Sequence, residues 1–209
     1  MLEVENKNYI DVTEEWLNKE SVKKGRVINR NYYIDKEDNK YKVDGKNVVL
    51  DYSIKEKEVA EWLITKFGGD IYMLPRVNYP KGIATADYLW KNEYWDLKVI
   101  SNKATSRNRA VDNVIKTAKY QTNNIVLDIT DTVLPKDIII KQVEKIYNTN
   151  GREWLDKIII IENYNLIRLY QKKPSPLQAE WERLKCNYNY IIIYYMAKVK
   201  GLYKSFTKK

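Results

Sequence analysis

Histidine is absent from this 209-residue sequence, and cysteine occurs once, at Cys186. Histidine is the usual acid–base group near neutral pH, so its absence excludes a histidine-dependent nuclease site, a Ser-His-Asp triad and histidine-ligated zinc. A single cysteine excludes an intramolecular disulfide and a cysteine-based zinc cluster, and we expect Cys186 to be a buried structural residue. Any bound metal would therefore have oxygen ligands, which favours Mg²⁺, Mn²⁺ or Ca²⁺.

Long apolar runs are also missing. The most apolar stretch, residues 190–197, is too short to span a bilayer, and residues 1–9 are mostly polar, unlike a signal peptide. We therefore expect a cytoplasmic protein without a membrane span, or one delivered as part of a larger phage or toxin protein. Lysine and arginine outnumber aspartate and glutamate by 37 to 28. This excess suits a polyanion such as nucleic acid or an anionic membrane, but an ordinary solvated surface also explains it.

Composition and periodicity predict three parts. Residues 1–49 are a polar N-terminal appendage, in which the turn signals "DNK" and "DGK" predict hairpins. Residues 50–172 alternate helical and strand patterns in the order helix, three strands, helix, strand, helix, two strands. This order predicts an α/β domain with a mixed β-sheet flanked by helices. Residues 173–209 follow a Pro-Ser-Pro stretch and predict a basic, helical C-terminal extension.

The first helix of the central domain has the clearest limits. Ser53 is a candidate N-cap, and Glu56 occupies the capping-box position three residues later. Apolar residues then recur at helical spacing until the Gly68-Gly69 pair, which predicts the end of the helix.

Two carboxylates and a lysine lie among aromatic residues in the stretch "TADYLWKNEYWDLKVI". A two-residue turn in its middle places Tyr88 opposite Trp95 on one face of a hairpin. The same register places Asp87 opposite Asp96 on the other face, beside Lys98. Facing carboxylates repel, and a divalent cation between them would reverse the sign of that interaction. A metal site and a solvated hairpin face are both consistent with this pattern. A one-residue slip in the register would separate the aspartates.

The order of these features resembles the PD-(D/E)xK nuclease superfamily, whose restriction-endonuclease-like core is αβββαβ. "ADY" at 86–88 stands where that superfamily has "PD", and "DLK" at 96–98 stands for "(D/E)xK". Ala86 replaces the usual proline, which is not a ligand. The resemblance implies five catalytic residues, the last of them on the helix after the lysine: Glu56, Asp87, Asp96, Lys98 and Gln121. It implies metal ligation by Asp87, Asp96 and Glu56, with Glu58 as the alternative register for the last.

A narrower resemblance covers about residues 51–170. The stretches "KEKEVAEWL", "LPRVN", "ADYLW" and "YWDLK", and a glutamine before "NNIVLDIT", are similar to the C-terminal toxin-nuclease domain of contact-dependent inhibition (CdiA-type) proteins. Similar domains form the C-terminal part of phage minor head proteins of Gram-positive bacteria. The resemblance implies a nuclease, commonly assigned to tRNA, with some relatives that cut DNA. It also implies an immunity protein as a partner.

Phosphodiester hydrolysis gives these residue types a physical rationale. Asp87 and Asp96 can hold Mg²⁺ or Mn²⁺ with most of its waters retained, and the metal would acidify a bound water and polarise the phosphoryl oxygen. Lys98 would orient or deprotonate that water, or stabilise the negative charge of the transition state. Glu56 would complete the metal shell through a water, and Gln121 would position the nucleophile or a phosphate.

Basic residues follow the hairpin closely and are candidates to bind a phosphate backbone: Lys103, Arg107, Arg109, Lys116 and Lys119. A solvated helix face is an equally good interpretation of each one. The candidate site residues predict a metal-dependent endonuclease, and the resemblance alone implies that it acts on RNA, with tRNA as the first substrate. The alternatives are a DNA endonuclease of the same fold and a phage structural or nucleic-acid-binding component without activity.

Overall fold

The chain forms two compact units, Met1–Lys172 and Lys173–Lys209. The computed structural model describes residues 7–19, 24–102, 109–176 and 180. The predicted helical extension therefore lies almost entirely outside the described residues, and Cys186 lies outside them. The predicted domain boundaries at residues 50 and 173 stay predictions. None of the helices that the structure describes has the length and apolar character needed to cross a membrane.

The described residues form four α-helices and twelve β-strands. The helices are α1 (Thr13–Asn18), α2 (Ile54–Phe67), α3 (Ala110–Lys116) and α4 (Lys136–Tyr147). The first six strands are β1 (Tyr9–Asp11), β2 (Val27–Asn29), β3 (Tyr32–Ile34), β4 (Lys40–Lys42), β5 (Val48–Val49) and β6 (Ile71–Met73). The other six are β7 (Arg76–Val77), β8 (Tyr88–Trp90), β9 (Glu93–Val99), β10 (Asn124–Asp128), β11 (Lys157–Glu162) and β12 (Asn165–Lys172).

Eight of these strands form one mixed sheet in the order β1-β12-β11-β10-β9-β8-β6-β2. Strands β9, β10 and β11 are parallel at its centre. Strand β8 is antiparallel to both β6 and β9, and β12 is antiparallel to both β11 and β1. Every residue of the central strand β10 is buried, as its continuous apolar run predicts.

Helices cover both faces of the sheet. On one face, Ile125 of β10 belongs to a buried cluster with Ile115 of α3 and Val143 of α4. On the other face, Val126 of β10 belongs to a second cluster with Leu63 of α2. Successive side chains of a strand point to opposite faces, so adjacent residues of β10 contribute to different cores. The predicted α/β class, with a mixed sheet flanked by helices, is confirmed.

Helix α2 begins and ends where the sequence predicts. The Ser53 hydroxyl accepts the N–H of Glu56 at 3.1 Å, and the Glu56 carboxylate accepts the N–H of Ser53, so both halves of the capping box form. Gly68 has a φ of +68° and donates its N–H to Ile64 at 2.8 Å, which ends the helix with a residue that tolerates this backbone conformation.

The β8–β9 hairpin has the predicted register. Lys91 and Asn92 form its turn with φ values of +52° and +63°, as expected of the type I′ turns that join two-residue hairpins. Tyr88 pairs with Trp95, and both side chains are fully buried. The predicted aromatic pair is confirmed.

Two features differ from the sequence-based expectations. Strands β3 and β4 pair as a hairpin, but the "DGK" turn does not close a second one, because β5 pairs with β7 instead. Gln121, predicted on a helix, lies in a turn that follows α3. In addition, β1 and β2 form the two edges of the large sheet, although both lie in the polar N-terminal region.

We predict that Ser53→Ala lowers the free energy of unfolding by about 1 kcal/mol, because the substitution removes the acceptor for the Glu56 N–H. Urea unfolding followed by circular dichroism measures the change. Glu61→Ala, on an exposed position of the same helix, is the control and should change stability by less than about 0.5 kcal/mol. Equal effects of the two substitutions would contradict the capping role.

Candidate active site

The hairpin brings Asp87 and Asp96 together. Asp87 directly precedes β8, and its backbone N–H donates to the carbonyl of Trp95 at 3.1 Å. The charge of Asp96 and a side-chain hydrogen bond with it both act on the Asp87 carboxyl group, so the two side chains are in contact. The Asp87 carboxylate also accepts the backbone N–H of Leu97 at 2.7 Å. This bond holds the Asp87 side chain over β9, next to Asp96.

The two carboxyl groups lie in a poorly solvated environment. Asp96 is 1% exposed, and Asp87 is partly buried. Burial, followed by the negative charge of Asp96, raises the pKa of Asp87 from 3.8 to about 8. The hydrogen bond from Leu97 and the charge of Lys98 lower the pKa of Asp87, but by less than burial and Asp96 raise it. Without a cation, the Asp87–Asp96 pair therefore retains a proton to a higher pH than an isolated carboxyl group would.

Lys98 and Gln121 complete the cluster. The ammonium of Lys98 forms an ion pair with Asp96 and donates to the side-chain oxygen of Gln121 at 3.1 Å. The Gln121 amide in turn donates to the carbonyl of Thr85 at 2.9 Å. Gln121 thus links Lys98 to the segment just before Asp87. Four of the five predicted catalytic residues are joined in this way, although their catalytic roles stay predictions.

Glu56, the fifth, lies beside this cluster in a small cleft that Asp87, Thr85 and Arg76 also line. The hydroxyl of Tyr88 donates to the Glu56 carbonyl at 2.9 Å, which anchors the first turn of α2 next to the hairpin. The Glu56 carboxylate itself accepts a backbone N–H in the capping box. Within the part of the chain that the structure describes, no three acidic or other metal-ligating side chains converge. Metal ligation by Glu56 therefore stays a prediction, as does the alternative at Glu58.

Asp128 is a buried carboxylate that the sequence analysis did not single out. It is 1% exposed and forms an ion pair with Lys55 of α2 at 2.6 Å. The Lys55 ammonium also lies 4.9 Å from the centre of the Tyr164 ring. This pair ties the first turn of α2 to the end of β10. The only sequence feature that indicated a structural role for Asp128 was its position inside the apolar run "IVLDIT".

Arg76 is a second residue that the sequence analysis missed. It lines the same cleft as Asp87 and pairs with Asp51 at 3.3 Å, with about half of each side chain exposed. A solvent-accessible cation beside the carboxylate pair can contact a phosphate. Arg76 belongs to the stretch "LPRVN", but nothing in the spacing of that stretch assigned it a role.

The predicted nucleic-acid-binding residues are only partly described. Arg109 is exposed at the start of α3. Lys116 forms an ion pair with Asp112 at 2.9 Å, and Lys119 lies 5.6 Å from the centre of the Tyr120 ring. Their roles stay predictions. Two others fall outside the described residues: Lys103 and Arg107.

Comparison with known proteins shows that part of the chain is similar to a known family. Residues 84–167 match the family model of the contact-dependent growth inhibition CdiA C-terminal domain. This segment is less than half of the chain, but it contains the carboxylate pair, Lys98 and Gln121. The predicted resemblance to CdiA-type toxin domains is thus supported over these residues. The PD-(D/E)xK assignment stays a prediction.

Among solved structures, the chain is similar to a CdiA-CT/CdiI toxin and immunity complex from Burkholderia pseudomallei. The identity is 24% over 57% of this chain and 83% of that chain, with a TM-score of 0.39. No curated protein matches the sequence.

The raised pKa of Asp87 predicts a specific pH dependence of stability in EDTA. A carboxyl whose pKa rises from 3.8 to about 8 on folding contributes stability at low pH that is lost as pH increases through this range. Asp87→Asn keeps an acceptor for Leu97 but cannot ionise. As pH rises from about 4 to about 8, we expect the unfolding free energy of this variant to increase relative to that of the wild type.

Urea unfolding at a series of pH values measures this difference. Asp137→Asn, at an exposed position of α4, is the matched control and should show a much weaker trend. A pH-independent gap between wild type and Asp87→Asn would contradict the predicted environment of Asp87.

Proposed function

We propose that this chain is a metal-dependent endonuclease that hydrolyses phosphodiester bonds in RNA, with tRNA as the first substrate to test. The observation that carries the proposal is the buried Asp87–Asp96 pair, with Lys98 bound to Asp96. This cluster lies within the segment that matches CdiA C-terminal domains. The choice of RNA rests on the family resemblance.

The donor set of the cluster suits a hard divalent cation. Two ionised carboxylates in a poorly solvated place repel each other. Burial and the charge of Asp96 raise the pKa of Asp87 although the charge of Lys98 opposes them, so a divalent cation would offset the part that Lys98 does not. Mg²⁺ and Mn²⁺ prefer carboxylate oxygens and keep several waters. Asp87 and Asp96 would hold the ion, with Glu56 as the candidate for contact through a water. A bound ion would supply an acidified water and an electrophile for the phosphate oxygen.

Lys98 and Gln121 have roles that follow from their hydrogen bonds. The Lys98 ammonium is held between Asp96 and Gln121, so its position is fixed before any substrate arrives. A fixed ammonium beside the carboxylate pair can stabilise negative charge that develops on a phosphate or orient an attacking water. Gln121 is bound to the Thr85 carbonyl and acts as a positioning residue for Lys98.

Cleavage assays with tRNA, single-stranded DNA and duplex DNA, in Mg²⁺ or in EDTA, test the proposal. We expect RNA cleavage that requires the metal. Asp96→Ala and Lys98→Ala should each slow it by at least about 100-fold, because each removes charge from the site of transition-state stabilisation. Asp137→Ala, on the exposed surface of α4, should cleave like the wild type.

Each contrary result contradicts a specific part of the proposal. Activity that persists in EDTA would exclude the metal mechanism, and unchanged activity of Asp96→Ala would exclude the catalytic site. Cleavage of DNA alone would assign the same cluster to a DNA endonuclease. Absence of cleavage on every substrate would favour a binding or structural component. An immunity partner and delivery within a larger toxin protein stay predictions of the resemblance.

A second measurement tests metal binding without catalysis. We expect Mn²⁺ to raise the thermal unfolding midpoint of the wild type relative to EDTA, since a ligand that binds only the folded state stabilises it. The shift should increase as pH rises towards about 8, because the ion must displace the proton that Asp87 retains. Asp87→Asn should weaken both effects. Equal shifts in the wild type and in Asp87→Asn would place the ion elsewhere.

A further inference from the structure

A basic groove lies between α3 and α4, which we term the α3–α4 groove. Among the described residues, its charged lining consists of four basic side chains and one carboxylate: Arg109, Lys116, Lys145, Arg152 and Asp112. Arg109, at the start of α3, precedes Asp112 by three residues and Lys116 by seven, a spacing that places side chains on one side of a helix. Basic groups from two helices and the following turn therefore face one space.

The single carboxylate in the groove organises two of the cations. Arg152 donates from Nε and Nη2 to one oxygen of Asp112, at 2.9 and 2.6 Å. The ammonium of Lys116 lies 2.9 Å from the other oxygen. Arg152 is 11% exposed and also donates from Nη1 to the Gly151 carbonyl at 3.1 Å. With three of its five N–H groups engaged, the guanidinium is held in place and retains two donors.

No described carboxylate neutralises the other two cations. Arg109 and Lys145 are exposed, and no carboxylate among the described residues forms an ion pair with either. Their charges therefore add to the positive potential of the groove, and a concave surface with an excess of positive charge concentrates anions. Tetrahedral oxyanions suit such a site, because the remaining N–H groups of Arg152 and the two exposed cations can donate to their oxygens.

We propose that the α3–α4 groove binds a backbone phosphate of a nucleic-acid strand, outside the carboxylate cluster. The proposal deepens the proposed function in that it takes the substrate to be nucleic acid. Lys116 is five residues before Gln121, which contacts Lys98, so the two Cα atoms are at most about 18 Å apart. A single strand can thus extend from the groove to the cluster.

Fluorescence anisotropy with a labelled single-stranded RNA, in EDTA and over a series of salt concentrations, tests this inference. All proteins carry Asp96→Ala, which removes one of the two proposed metal ligands and should prevent cleavage during the measurement. The added pair Arg109→Ala and Lys145→Ala alters only exposed side chains, so the fold should be retained. Loss of two phosphate contacts at about 0.7 each should reduce the slope of log affinity against log salt by about 1.4.

Lys24→Ala with Lys66→Ala is the control pair, since it removes the same charge near the C-terminal end of α2. We expect the control to retain the parent slope. An unchanged slope of log affinity against log salt in the groove variant would overturn the inference. It would favour an acidic protein partner for the groove instead. Equal losses in groove and control variants, or no binding of RNA by the parent protein, would overturn it as well.

Binding in EDTA is independent of hydrolysis, so the two proposals fail separately. If Asp96→Ala leaves cleavage unchanged while the groove variant has a reduced salt dependence of RNA affinity, the proposed catalytic site is wrong and the groove inference is supported. If Asp96→Ala abolishes cleavage while the groove variant keeps the parent slope, the catalytic site stands and the groove inference fails.

Discussion

The pairing of Tyr88 with Trp95 across the β8–β9 hairpin is the constraint on which the rest of the site depends. Both rings are buried on the face of the sheet that α2 covers, and burial of two large aromatic side chains gives this register a strong energetic advantage. Because side chains alternate between faces, the same register directs Asp87 and Asp96 to the opposite face. A shift by one residue would place the carboxylates in the aromatic core and the rings on the other face of the sheet.

The site also depends on the position of the first turn of α2. Three contacts hold that turn: the capping box at Ser53, the bond from Tyr88 to the Glu56 carbonyl, and the Lys55–Asp128 ion pair. A buried ion pair contributes little net stability, but it penalises arrangements that leave either charge alone. The contacts therefore specify where Glu56 lies relative to Asp87 more than they stabilise the fold.

Local features of the sequence were sufficient for a large part of this description. The limits of α2 follow from Ser53 and Gly68, and the hairpin register follows from its two-residue turn and its alternating aromatics. The class of fold follows from the order of helices and strands. The N-terminal strands were not predictable, because β1 and β2 have only 3 residues each. Each becomes a strand only through a partner distant in the chain.

The sequence by itself determined which residues could form a hydrolytic site, since it contains no histidine and supplies carboxylates and a lysine at hairpin spacing. It determined the faces to which those side chains point, because the strand period is two. Only the tertiary structure decided that Gln121 reaches Lys98, that Asp128 anchors α2, and that Arg152 lies against Asp112. Each of these contacts joins residues at least 23 positions apart. Such proximity depends on how helices and strands pack, which no local pattern of residues encodes.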